Sequence, residues 1–517
     1  MEQLNAFLEV AVSWVWGIPL VILLIGSGLL FSTLMIPGIQ FRGFFHAIEV
    51  IRGKYDDPDE PGEISHFQAL TTALSATVGL GNIAGVAIAI HYGGPGATFW
   101  MILAGLVGMS TKFAECTLAV RYREMDPETG EVHGGPMYYI QNGLGKKWRP
   151  LAVFFSIAAL VSSFGASNMF QTNQVGSILA ATFNIPHWIT GVVIATLTAA
   201  VIIGGIRRIG RVTSILVPLM AFLYVGGALT VIVLHIDQIP SLFALIFREA
   251  FNPQAVGGGF IGVMIQGVRR ACFSNEAGLG SAPIAHAAAT TDEPVREGVV
   301  ALLEPFIDTV VICTMTALVI LISGEWNTAE INAVRLTSRA FDSILPGFGD
   351  YFVPIAVALF AYSTLLSWSY YGEQAVDFLF GEKTHAVRIQ HALLRFTPFL
   401  LLALAVARGI LYEIDAFCFI LGIIGVVLLF VFWTPMHAYR ITFCILAALG
   451  AVWTSGAVIA FSDLMLGLMV VPNLIAVWML FPKLREETRV YFGKLRRKEF
   501  TTDAALAADH RARKTKK

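Results

Sequence analysis

Charge is what this chain has least of. Of its 517 residues only 14% are Asp, Glu, Lys or Arg, and 56% are hydrophobic, whereas a soluble globular domain carries about 25% charged residues. That deficit argues against an ordinary cytosolic enzyme. Neither sign is in excess: 35 basic and 36 acidic residues give no hint of a nucleic-acid surface. The five cysteines (Cys116, Cys272, Cys313, Cys418, Cys444) have no paired spacing, so neither a disulfide framework nor a zinc site is implied. A G-x-x-x-x-G-K-[ST] sequence is missing, as is any polar stretch long enough for a separate soluble domain. Coupling to ATP within the chain is therefore not expected.

Long apolar runs are abundant. Those at 12–34, 211–234, 298–322 and 414–433 each reach the roughly 20 residues needed to cross a hydrocarbon core about 30 Å thick. A transmembrane β-barrel is excluded, because its strands alternate apolar and polar residues. The first run is expected to be a retained helix, since no basic segment precedes it and no small-residue cleavage site follows. The chain reads as an all-α polytopic membrane protein of about 13 spans, near 12–36, 67–92, 97–122, 150–184, 186–205, 211–235, 258–289, 297–323, 351–379, 392–411, 413–434, 441–462 and 464–482. Basic residues cluster after every second span: Arg42, Arg52 and Lys54; Arg121, Arg123, Lys146, Lys147 and Arg149; Arg207, Arg208 and Arg211; Lys383 and Arg388; Arg440; then the 491–517 tail. By the positive-inside rule the N-terminus is outside and the basic tail cytoplasmic, close to anionic lipid.

Three stretches depart from plain lipid-facing helix. SATVGLGNIAG at 75–85 puts three glycines and an asparagine at mid-membrane depth. Glycine costs about 1 kcal/mol against alanine in a helix interior, so the span is either interrupted there or packed closely through its G-x-x-x-G. RRACFSNEAGLGSAP at 269–283 places two arginines and a glutamate in mid-span. At about 2.5–3.5 kcal/mol or more per charge, a broken helix beside an aqueous cavity is favoured over a lipid-exposed one. The flanking apolar pieces are too short for a loop between two full spans. FAYSTLLSWSYYGE at 360–373 sets Thr364 and Trp368 on one helix face and makes Ser363 and Thr364 adjacent hydroxyls. Those hydroxyls could equally bond back to carbonyls one turn earlier.

The two interruptions run in opposite directions and each opens a set of about five spans, the sequence mark of a secondary transporter with a midplane site. A half-helix starting near Gly81 and Asn82 presents free N–H groups and positive dipole to a carboxylate. Freed carbonyls and hydroxyls suit a hard cation such as sodium.

At these residues the chain resembles the alanine/glycine:cation symporter family, also called sodium:alanine symporters, of the amino acid–polyamine–cation superfamily. The matching stretches are 72–86, GGPG at 93–96 with FWM at 99–101, KFAE at 112–115, GGPMYYI at 134–140, 273–283, WSYYGE at 368–373 and GLMVVPNL at 467–474. The resemblance implies a leucine-transporter-type fold of five plus five inverted helices. The repeats would lie at about 66–235 and 258–482, with an extra N-terminal helix and an inserted helical hairpin at about 385–437. It also implies sodium-driven uptake of small neutral amino acids across a bacterial inner membrane, with no organic cofactor and no obligate protein partner. Gly79, Gly81 and Asn82 would surround the substrate carboxylate, and Gln171, Thr364 and Trp368 would face the substrate. Ser274, Asn275 and Glu276 would line the second break. Thr77, Ser363 and Thr364 would bind sodium. Glu276 could instead pair with Arg269 or Arg270.

The chain departs from the family pattern at Leu80, where threonine is usual, and at Ala271, where glycine is usual. Leu80 leaves a glutamine-preferring carrier open, and Glu276 leaves proton coupling open. The remoter alternatives are a channel, which would want a continuous polar path or a filter repeat, a membrane-embedded enzyme, which would want clustered catalytic or metal-ligating side chains, and a solute-sensing receptor on a transporter scaffold. His286 is expected to end the seventh span without a metal partner nearby.

Overall fold

A computed structural model describes residues 2–34, 37–57, 59–252, 259–327, 333–381, 425, 434–452 and 456–500. Within these the chain is almost entirely helical, apart from one hairpin of two-residue strands, β1 (Glu124–Met125) and β2 (Val132–His133). The helices that frame the centre are α1 (Glu2–Val15), α2 (Ile18–Leu34), α3 (His66–Thr77), α4 (Val86–Gly93), α5 (Ala97–Arg121), α6 (Arg149–Phe164), α7 (Phe170–Phe183), α8 (His187–Ile202), α9 (Gly205–Leu234), α10 (Gly259–Asn275), α11 (Ala282–His286), α12 (Pro294–Ala301), α13 (Gly349–Phe380), α14 (Pro435–Val452) and α15 (Gly456–Arg497). Among the described residues, eight helical stretches are long and apolar enough to cross a membrane, or nine when α3 and the 81–93 helix count as one bent span. The protein is a multi-pass helical membrane protein.

The expected count of 13 spans is not confirmed among the described residues. The run at 186–205 forms the shorter apolar helix α8, and that at 258–289 is α10 and α11 separated by a break. The runs at 392–411 and 413–434, with the expected inserted hairpin, lie outside the described residues, as do Lys383, Arg388 and the tail beyond residue 500.

Burial separates centre from periphery. In α5 and α13, 72% of the apolar window is buried inside the protein, against 33% in the Ala6–Leu34 stretch of α1 and α2 and in α9. On α9 the side chains of Ile215, Leu219, Phe222, Leu229 and Val233 are exposed, a face that suits lipid tails and not water. The central helices instead bury Lys112, Glu115, Glu297, Glu304 and Asp308. Glu304 and Asp308 sit in the 298–322 stretch, which hydropathy reads as plain apolar span. They face the bundle, where a charge is tolerated because other protein groups meet it.

Both interruptions form. Helix α3 starts on a capping box, in which Gln68 N–H donates to the Ser65 hydroxyl (3.2 Å) and Ser65 N–H to the Gln68 carbonyl oxygen (3.1 Å). It ends where Val78 turns extended, and the chain resumes as a π-turn over Gly81–Gly85, with a 50° bend across the break. Between α10 and α11 the backbone turns left-handed three times, at Glu276 (φ 56°), Gly278 (φ 91°) and Gly280 (φ 82°). Glycine takes such angles freely. Glu276 carries a side chain there, a strained conformation of the kind that gathers at functional sites. Pro283, in the first turn of α11, suits the restart because its missing N–H has no partner to lose there.

Candidate functional site

The two breaks lie against each other. A Cβ placed on Gly81 would stand 3.0 Å from the Ser274 Cα, so only glycine lets the first break approach the end of α10. A Cβ on Gly79 would stand 2.7 Å from the Thr364 hydroxyl oxygen. Between the breaks is a small cavity. Of the residues expected at the site, Thr77, Gly79, Gly81, Gln171, Glu276, Thr364 and Trp368 line it.

Four do not, and each supports a wall instead. Asn82 is fully buried behind the first break. Its carbonyl oxygen accepts from Gly79 N–H (2.8 Å), and its amide nitrogen donates to the Asp308 carboxylate (2.7 Å) and the Asp308 carbonyl (3.1 Å). Asn275 does the same for the second break: its oxygen accepts from Ala277 N–H (2.9 Å) and its nitrogen donates to the Thr309 hydroxyl (2.9 Å). Ser274 meets the Cys313 sulfur at 3.4 Å. Ser363 binds between helices, as described below.

Glu276 has no hydrogen bond or ion pair to Arg269 or Arg270. One carboxylate oxygen accepts from Trp368 Nε1–H (3.0 Å) and the other from the Ser281 hydroxyl. The indole, 1% exposed, is thereby fixed as a wall of the cavity. Opposite it, the Gln171 side-chain oxygen is buried with no partner among the described residues. A buried amide oxygen left unpaired is costly, and this one belongs to a residue that lines the cavity.

A second constellation joins α3 to α13. Ser363 Oγ lies 2.8 Å from the Phe360 carbonyl and 3.3 Å from that of Ser75. Thr364 Oγ1 lies 3.1 Å from Phe360 O and 3.5 Å from Ala76 O. The Ser75 hydroxyl returns to Ser363 O at 2.6 Å. The back-bonding and interhelical readings of these hydroxyls therefore hold together. The donor set is all oxygen, neutral and concentrated where the first break frees carbonyls, which is the chemistry of a hard monovalent cation. Thr77 is close by, its hydroxyl bonded back at 3.3 Å to Ala73 O and to Leu74 O.

Sequence reasoning missed several participants. Ala76, Ala166, Ser167, Phe273 and Leu466 also line the cavity, and Leu80, noted for its divergence, does too. Leu466 comes from α15, a contact that no local pattern announces. The expectation for His286 also needs correction: Cys116, His286 and Glu304 hold their ligating atoms within 4.8 Å of one another. Both imidazole nitrogens, however, already meet carboxylates at 2.5 Å, Nδ1 that of Glu297 and Nε2 that of Glu304. Lys112 adds an ammonium 3.1 Å from Glu304, and His66 bonds the other oxygen of Glu297. This is a buried structural cluster of acidic and basic side chains whose signal was present as intramembrane charge.

Two interrupted helices enclosing a small polar cavity, with a set of neutral oxygens beside it, are the architecture of a secondary transporter. The chain belongs to the sodium:alanine symporter family, whose model matches residues 1–435 and 426–504. It is 40% identical over 493 residues to the sodium/alanine symporter AgcS of Methanococcus maripaludis, covering 94% of this chain and 97% of that protein. It is 38% identical to the amino-acid carrier protein AlsT of Bacillus subtilis (74% and 80% covered) and 36% identical to a probable sodium/glutamine symporter, GlnT, of the same organism (73% and 78%). The crystal structure of MhsT in complex with L-phenylalanine aligns with a TM-score of 0.46 at 16% identity, over 82% of this chain and 99% of that one.

Proposed function

We propose that the protein couples sodium to the uptake of a small neutral amino acid, alanine or glycine, by alternating access around the two breaks. The observation that carries this reading is the meeting of the breaks across one cavity whose wall, through Thr364, is shared with the oxygen cage on Ser363, Thr364, Ser75, Ala76 and Phe360. Occupying the cage holds α3 against α13 and so sets Gly79 and Gly81 for the substrate. Sodium thus favours the state in which the amino acid binds, and the amino acid tightens sodium in return. The substrate carboxylate sits at the backbone N–H groups of Leu80 and Gly81, that of Gly79 being held by Asn82, where the helix restart adds positive dipole. Gln171 accepts from the substrate ammonium, and the Trp368 indole limits side-chain size. Asn82 and Asn275 hold the two breaks in shape.

In this reading the repeats are 66–235 and 258–482, related by inverted topology. The N-terminus is outside, the C-terminus is inside, and the membrane is a bacterial inner membrane.

The test is uptake of labelled alanine, glycine and glutamine into proteoliposomes under an inward sodium gradient, a proton gradient, or neither. Saturable uptake of alanine or glycine with sodium alone is expected. Uptake driven by protons alone would move coupling to Glu276, and preference for glutamine would assign the altered specificity to the Leu80 side chain, which lacks the usual threonine hydroxyl. Failure of all three substrates would sink the reading. Gln171→Leu keeps the volume but removes the unpaired acceptor. It is expected to raise the half-saturation concentration for the amino acid about tenfold and leave that for sodium within twofold. A shift in both would place Gln171 outside the substrate site.

A further inference from the structure

Where α3 begins and where α11 ends, the two broken helices are joined directly by backbone. Glu63 N–H and Ile64 N–H both donate to Ala288 O (2.8 and 3.2 Å), Thr290 N–H to Ile64 O (2.8 Å) and Thr291 N–H to Pro61 O (3.0 Å). Ile64 and Ala289 pair as a parallel bridge. The approach is so close that a Cβ on Gly62, whose φ is 151°, would lie 2.4 Å from the Thr290 Cα.

Arg123, two residues beyond α5, closes this seam. Its Nη1 donates to Ala287 O (2.6 Å) and Ala289 O (2.7 Å), and its Nη2 to Pro61 O (2.8 Å) and Thr291 O (2.5 Å). A planar guanidinium with donors in a fixed fork is the side chain able to hold four carbonyls from two chain segments at once. One turn deeper, His66 of α3 and His286 of α11 grip the same carboxylate, Glu297 of α12. Glu304 and Lys112 extend the chain to α5. Every member of this cluster is fully buried or nearly so, so pulling α3 away from α11 would strand ionic groups without partners.

We infer that Arg123 is a positioning residue that staples the inner ends of the two broken helices, so that α3 and α11 travel as one body when the inner side opens. This rests on the reading of the protein as an alternating-access carrier with this end at the cytoplasmic face. Opening then occurs between that body and the helices across the cavity, α7, α13 and α15, and not by α3 swinging out alone.

The experiment uses the full chain in proteoliposomes, with Ile64→Cys and Ala289→Cys combined. Neighbouring strands lie about 4.8 Å apart, within the separation a disulfide spans. After copper–phenanthroline oxidation, with bridge formation checked by loss of thiol labelling, sodium-driven alanine uptake is expected to stay within twofold of the reduced sample. Uptake that stops on oxidation and returns with reductant would overturn the inference, since the segments would have to part in each cycle. If the unsubstituted protein carried no amino acid, the functional reading would fail instead, and the two failures are distinguishable. Independently, Arg123→Lys keeps the charge but not the fork. It is expected to lower the maximal uptake rate about tenfold or more, with half-saturation for alanine and sodium unchanged within twofold. A wild-type rate in Arg123→Lys, or a shift in both half-saturation values, would show that the clamp does not set the motion.

Discussion

Asn82→Ala is expected to reduce maximal uptake by about a hundredfold or more while the protein still reaches the membrane. The substitution removes the acceptor of Gly79 N–H and the donor to Asp308, both in fully buried surroundings. A buried polar group left unpaired costs about 1–3 kcal/mol, so two stranded groups amount to about 2–6 kcal/mol against the shaped break. Each 1.4 kcal/mol is about a factor of ten. The rest of the bundle is packed independently of this residue, which is why assembly should survive. Asn82→Asp should do no better, because it places a second carboxylate against Asp308. The measurement is initial uptake rate normalised to protein recovered from the membrane. A near-normal rate in Asn82→Ala would show that the break keeps its shape without the amide.

The second large effect concerns the cation. Replacing Ser363 and Thr364 together by alanine is expected to raise the sodium concentration for half-maximal uptake at least about thirtyfold. Each hydroxyl oxygen bonded to a charged partner contributes about 1.5–3 kcal/mol, and two of the neutral oxygens in the cage would be lost. Because Ser363 Oγ also touches Ser75 O, disturbed helix packing is the competing explanation for such a rise. Thr364→Ser answers that: it keeps the oxygen and should leave the sodium dependence within a fewfold of wild type. An unchanged sodium dependence in the double variant would send the ion elsewhere. An equal rise in both variants would point to packing.

The legible part of the fold was its energetic outline. Apolar run length gave the spans on the periphery, such as α2 and α9, because a lipid-facing helix has to be apolar along most of its surface. Glycine and charge at mid-depth gave the two breaks. Hydropathy was least informative in the centre. The 298–322 stretch averages as apolar, although Glu304 and Asp308 inside it are buried against Lys112 and Asn82. A mean over a window hides a single acid whose cost is met by another helix.

The site divides the same way. Residue type and spacing determined that residues near 75–85, 269–283 and 360–373 would gather at mid-membrane, since unpaired backbone and clustered hydroxyls survive there only beside a cavity. Spacing could not decide which side chains face that cavity. Gly79 and Gly81 border it and their neighbour Asn82 turns away to Asp308. Thr364 borders it and Ser363 binds across to α3. A π-turn over Gly81–Gly85 and a left-handed Glu276 set those directions, and both depend on contacts from elsewhere in the chain. Leu466 on α15, Asp308 behind the first break, and the Arg123 clamp on carbonyls from 61 and 287–291 are long-range placements. The sequence by itself determined a helical membrane carrier with two opposed interruptions, because helix, lipid and glycine impose local rules. Only the tertiary structure decided which groups meet at the breaks, because that depends on side chains hundreds of residues apart finding one another.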